Sequence, residues 1–151
     1  MINGYVWWSI YVRTKTIKKM RDEHLPLVNN ALAPLEFEWQ VFVERESPGL
    51  VRCVNYQNIS ADCIEDAMLH VLRRAYRLAD SWTISELGDL DSGELKHITG
   101  SWSCRKQSNK PPALESMIFE LEPGQIAGKT DDGGWALAGE TGKTMRIPID
   151  D

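Results

Sequence analysis

The chain has 151 residues, 42% hydrophobic and 26% charged, and its 17 basic and 22 acidic side chains leave a formal charge of −5. That length suits one domain spanning residues 1–151, and six Trp, four Tyr and three Phe exclude disorder along the whole chain. No apolar run approaches the ~20 residues a membrane helix needs. The longest, Tyr5–Val12, is followed by basic residues instead of preceded by them, against the pattern of a secretory leader. Cys53, Cys63 and Cys104 are odd in number and lack a CxxC spacing, as expected of free thiols in a reducing compartment. The chain therefore reads as a soluble, cytoplasmic protein.

Tyr5–Val12 is rich in aromatic and β-branched residues and predicts a first strand. Its alternation sends Val6, Trp8, Ile10 and Val12 to one face and Tyr5, Trp7, Ser9 and Tyr11 to the other. From Thr16 the period turns helical, with Ile17, Met20, His24, Val28, Ala31, Leu32 and Leu35 on one stripe. Pro26 predicts a kink or two short helices there. Residues 36–46 alternate again, Phe37, Trp39, Val41 and Val43 sharing a face and Phe42 lying opposite. Ser47-Pro48-Gly49 then turns the chain into a second β-branched run, Leu50–Tyr56, which predicts a hairpin. Ser60 stands as an N-cap to a helix over roughly 61–81, whose stripe runs from Ile64 to Ala79. Strands follow at 83–87, 95–104 and 116–121, with short runs between Gly-rich turns beyond them.

The expected architecture is α+β. Its first six elements follow the split βαβ, ferredoxin-like order β-α-β-β-α-β, an antiparallel sheet with two helices on one face. That core covers about residues 4–88, and a strand-rich acidic extension covers about 89–151. No family signature accompanies the order, and the order alone does not imply a function.

Charge is unevenly placed. Residues 1–112 carry 14 basic and 14 acidic side chains, so the whole imbalance lies in residues 113–151. A net-acidic chain repels a phosphate backbone, which argues against nucleic-acid binding. Gly139-Glu-Thr-Gly-Lys-Thr144 resembles a phosphate loop, but Leu137 stands where its first Gly belongs and Pro148 bars a following helix. Asp89-Leu-Asp-Ser-Gly-Glu94 fails the calcium-loop frame, with Glu94 in the position of the required Gly. His24, His70 and His97 show no metal spacing, so neither cofactor nor metal is expected. His24 reads as a core histidine and His70 as an exposed partner of Asp66. A distant Cys/His pair is the one nucleophilic arrangement left open. Arg73, Arg74 and Arg77 read as cations that complement the helix dipole and pair with Glu65, Asp66 or Asp80, or else as an anion patch.

Two surfaces attract attention. With Trp8 and Trp39 assigned to the helix side, Tyr5, Trp7, Tyr11 and Phe42 line the opposite face. Each removes on the order of 150–250 Å² from water when buried, so they form a homodimer contact or the bed of the C-terminal strands. The acidic quarter places Asp131 and Asp132 beside Trp135, with Asp150 and Asp151 further on, offering charges for steering and a ring for anchoring on a basic partner. Two readings of function stand. One is a non-enzymatic protein-binding module, of the size and charge of small cytoplasmic inhibitors such as immunity proteins that neutralise basic partners. The other is a small enzyme or ligand-binding domain with a pocket between the sheet and the C-terminal extension.

Overall fold

The computed structural model describes residues 2–44, 46–87, 97–103, 114–129, 134–138 and 144–145. Strand β1 (Ile2–Arg13) holds the alternation of large apolar side chains from Tyr5 to Val12 and extends past it at both ends. β2 (Gln40–Val43) and β3 (Leu50–Ala61) form the expected hairpin. Gly49 has φ of +88°, a conformation that side chains with a Cβ rarely adopt, and Leu50 N–H donates to Ser47 O across the turn at 3.1 Å. β4 (Thr83–Leu87), β5 (His97–Ser103) and β6 (Leu114–Pro123) complete a six-stranded antiparallel sheet in the order β2-β3-β1-β6-β5-β4. β7 (Ile126–Lys129), β8 (Trp135–Leu137) and β9 (Thr144–Met145) make a separate small sheet.

The α+β class and the two-helix layer hold, but the ferredoxin-like order does not. Its β2-β3-β1 half is present. The place beside β1 that the strand after the second helix should take belongs instead to β6. β4 lies at the far edge, and the β4-β5-β6 meander returns the chain to the centre. The reason is extent of pairing: the ten residues of β6 meet β1 from Gly4 to Val12, whereas β4 has five residues in all. The main sheet thus continues well past residue 88, and only β7–β9 form a separate layer.

The first helical run divides as Pro26 requires. α1 (Ile17–Lys19) leads into a π-helical turn (Met20–His24) and then α2 (Leu25–Leu32). Pro26 falls in the first turn of α2, where a missing N–H costs little, and the widened turn before it accommodates the ring. α3 (Ile64–Leu78) buries Ile64, Ala67, Val71, Ala75 and Leu78 as its periodicity predicts. Its start differs from the expected cap. β3 runs on to Ala61, so Ser60 lies in the strand, its hydroxyl bonded to Asn3 Oδ1 at 3.0 Å, and Cys63 holds the N-cap position.

Val6, Trp8, Ile10 and Val12 join Trp39 and the helix stripes in the main core. Phe37 departs from the predicted strand face. Residues 37–39 precede β2 and are not paired, so the alternation breaks and Phe37 packs on the opposite side, against Trp135, with ring centroids 5.1 Å apart. At the centre of the main core Phe119 meets Trp8 at 5.4 Å and Trp82 at 5.5 Å. Trp82 Nε1–H also reaches Ala75 O and Ala79 O, both at 2.9 Å, so the buried indole finds its acceptors at the end of α3, where Ala75 O also accepts from Ala79 N–H.

Gly100 makes room for this cluster: a Cβ built there would lie 2.2 Å from the Phe119 ring. Gly100→Ala should therefore destabilise the fold by about 1–3 kcal/mol through overpacking. Combining it with Phe119→Leu should recover part of the loss relative to Phe119→Leu alone. Paired thermal melts of the four proteins check this; strictly additive losses would show that the ring does not constrain Gly100.

Candidate functional site

The far face of the sheet is where the sequence placed its aromatic site. Tyr5, Val54, Tyr56, Ile126 and Trp135 form a second buried cluster, with Trp7, Phe37, Phe42 and Leu137 packed around it. Tyr5 and Tyr56 ring centroids lie 6.0 Å apart, and Tyr56 and Trp135 5.0 Å. The small sheet is bolted down by Asn58, whose Nδ2 donates to Ile126 O at 2.9 Å and whose Oδ1 accepts from Ile126 N at 2.7 Å. Tyr5 thus shares a cluster with Ile126 and Trp135 of the C-terminal strands, and Trp7 and Phe42 pack against that cluster. Tyr11 lies further along β1, where it and Trp7 flank the Arg52 guanidinium at 5.7 and 5.8 Å. Arg52 is buried and its Nε donates to Ser9 Oγ at 2.9 Å.

Trp135 corrects the anchoring role expected of it. The ring is 0% exposed because β8 folds back over Tyr56 and Phe37, so it faces inward and is unavailable to a partner. Asp131, Asp132, Asp150 and Asp151 lie outside the described residues, as do the phosphate-loop-like stretch up to Lys143, the calcium-loop-like residues 89–94, and Cys104.

Beside the aromatic bed β6 presents Glu120 and Glu122. Tyr5 Oη–H donates to Glu122 Oε2 at 2.8 Å, and burial together with that carboxylate pushes the phenol well above its ordinary range. Burial also holds the Tyr56 phenol up at about 12. Glu120 Oε1 lies 3.8 Å from His97 Nε2. Burial raises the Glu120 carboxyl, Glu122 adds to the rise, and His97 opposes it. Cys53 is fully enclosed in the main core and burial pushes its thiol up, so it is a packing residue and not a nucleophile. No group of three or more metal-ligating side chains occurs among the described residues, and none of their helices is long and apolar enough to cross a membrane.

The concave surface lies on the other side, around α2. One groove of about 450 Å³ runs between α2, the end of α3 and the start of β6, floored by Val28, Ala31, Leu78 and Leu114. His24, Leu27, Asn30 and Arg77 form its rim. A second, more open groove of about 550 Å³ follows the other flank of α2, between Arg21, Leu25 and Asn29 and the segment from Ala33 to Trp39. α2 is therefore a ridge between two grooves, and Leu27 stands 58% exposed on it. Sequence reasoning passed over this site. Leu27 falls off the apolar stripe of its helix, which was the available signal, but Leu114 joins the floor from a distant part of the chain.

The ion pairs expected for Arg73, Arg74 and Arg77 do not form among the described residues, where the pairs are Arg13–Glu115, Lys18–Asp22 and His97–Glu120. Arg77 Nη1 reaches only Ala31 O, at 3.5 Å. Arg74 Nη1 is buried without a hydrogen-bond partner, and burial with the nearby Arg77 charge lowers its affinity for the proton. No family model, no curated protein and no solved structure matches this chain.

Two expectations follow for the far face. Trp135→Ala should cost about 3–5 kcal/mol, the loss expected on emptying an aromatic site, and calorimetric melting checks it; an unchanged melt would return the ring to the surface. For Glu120, the raised carboxyl means the ionised form is the less well accommodated when folded. Its contribution to stability is present below the ordinary glutamate pKa and is lost as pH rises through the folded value. Carboxyl NMR titration should place Glu120 above the ordinary range, and His97→Ala, by removing the opposing cation, should raise it further.

Proposed function

We propose that this protein is a non-enzymatic protein-binding module that acts in the cytoplasm and engages its partner along the α2 ridge. The observation that carries the reading is the ridge itself: two adjoining grooves with an exposed leucine between them. Small ligands are ordinarily enclosed on most of their surface. Two open grooves on either side of a helix instead suit a macromolecular surface that straddles it, with Leu27 as an apolar anchor. Tyr76 and Leu69, 51% and 45% exposed on the outer side of α3, extend the apolar surface of the helix layer. On the far face Tyr5, Trp7 and Phe42 are engaged in the second cluster, which supports placing the partner on the helix side. The carboxylates of residues 113–151 enter the proposal as a long-range field that orients the module toward a basic patch on the same partner.

A photo-cross-linking residue at position 27 tests this in the native cell, with the same residue at Ile118 on the sheet's far face as the control. Position 27 should yield one discrete adduct that position 118 does not, and Leu27→Asp should abolish co-purification of that protein. A chain that stays monomeric and uncross-linked at position 27 would overturn the proposal.

A further inference from the structure

We infer that the groove between α2 and α3 docks a segment that is both apolar and acidic, a leucine- or phenylalanine-bearing stretch flanked by Asp or Glu. This rests on the protein-binding reading and names the chemistry of the partner at that site.

The floor sets the first requirement. Val28, Ala31, Leu78 and Leu114 offer no hydrogen-bonding side chain, so an occupant that fills the groove must bring apolar surface. The rim sets the second. Its polar members are His24, Asn30 and Arg77, and among the described residues no carboxylate lines the groove. α2 itself, from Leu25 to Leu32, carries no charged residue that could neutralise the rim. Arg77 makes no ion pair among the described residues, and one turn back Arg74 has a buried Nη1 with no partner. Of these guanidiniums it is Arg77 that lines the groove, where it repels a second cation and can meet a carboxylate with paired N–H donors. A lysine-rich segment would face that repulsion instead, and a nucleic-acid backbone has no apolar side chain for the floor. The same cations exclude the basic partner surface from this groove, so any such surface meets the module elsewhere.

The test uses the full chain, isotopically labelled, titrated with three short synthetic peptides. One alternates acidic residues with Leu and Phe, the second replaces each acid by Lys, and the third replaces each apolar residue by Ser. The first should shift the amides of Leu27, Ala31 and Leu78 and bind roughly tenfold or more tightly than either control. Arg77→Glu should erase the preference for the acidic peptide over the lysine one. Leu27→Asp should weaken the acidic peptide by about tenfold. Both side chains are exposed, and unchanged melting curves confirm that these variants fold. Equal or tighter binding of the lysine peptide at the same amides would overturn the acidic class while leaving a protein segment in the groove. Shifts confined to other surfaces, or none with any peptide, would remove the groove as the docking site, while the cross-link at position 27 remains a separate test of the wider reading. Concentration-dependent shifts of the same amides without peptide would identify a second copy of the chain as the occupant and overturn the inference as well.

Discussion

The position of α2, and with it everything on the helix side, depends on one buried amide. Gln57 projects from β3 into the main core, 2% exposed, with Val6 as its register partner on β1. Its Oε1 accepts from Trp8 Nε1 at 2.7 Å, while its Nε2 donates to Leu32 O at 2.6 Å and to Pro34 O at 2.9 Å. Two requirements are met together: the indole of a fully buried Trp finds its acceptor, and the open carbonyl at the end of α2 finds a donor. Asn55, next on the same face of β3, donates in the same way to Phe37 O at 2.9 Å. Breaking either contact would strand a polar group in the core at a cost of about 1–3 kcal/mol, more than a typical surface contact contributes. The chain from Leu32 to Phe37 is therefore stitched to the sheet. α2 is held from its C-terminal end, and its outward flanks remain open as grooves.

The second constraint is the two-sided burial of the sheet centre. β1 pairs along nearly its whole length with β3 and β6, and its inner face is filled by Trp8, Ile10 and Val12 under the helices. A sheet this apolar on both faces needs a second cover, and β7–β8 supply part of it over Tyr5, Val54 and Tyr56. Arg52 and Tyr11 are not members of that second cluster, and Arg52 packs between the Trp7 and Tyr11 rings. Further along that face polar groups take over, among them Ser9, Thr99, His97 and the two glutamates of β6. Among the described residues the most exposed large apolar side chains, Leu27 and Tyr76, lie on the helix layer.

What could be read from the sequence was local. The alternation of Val6 to Val12 and the stripe from Ile64 to Ala79 report burial directly, because each residue's environment repeats with the period of its own element. The Ser47–Gly49 turn was legible because Gly49 must adopt positive φ. Strand order was not. Whether β4 or β6 lies beside β1 depends on total pairing across more than a hundred residues, and both strands alternate acceptably. The phase error at Phe37 has a similar origin: alternation through residues 37–39 looked continuous, but the Asn55 contact to Phe37 O fixes that segment before β2 begins. The burial of Trp135 is not legible locally, because an aromatic beside two aspartates in a Gly-rich stretch looks exposed when considered alone. Its burial depends on Tyr56 and Phe37, far away in the chain. The groove was hidden for the same reason.

The cations of α3 allow the structural and functional accounts to be weighed by magnitude. A cation in the last turn of a helix gains about 0.3–1 kcal/mol from the helix dipole, and the effect fades within one turn. Arg77 alone lies in that last turn. Arg74 is a turn earlier, about half-buried, with Nη1 unpartnered and the charge of Arg77 close by. Burial and the Arg77 charge both disfavour the charged form there, and the dipole is weak at that distance. Arg77 differs, standing exposed on the rim of the groove. A carboxylate arriving with an apolar anchor would meet that guanidinium beside an apolar floor, where a charge-assisted bond is stronger than on open surface. Discrimination would then rest on Arg77, which favours an acidic occupant and opposes a basic one.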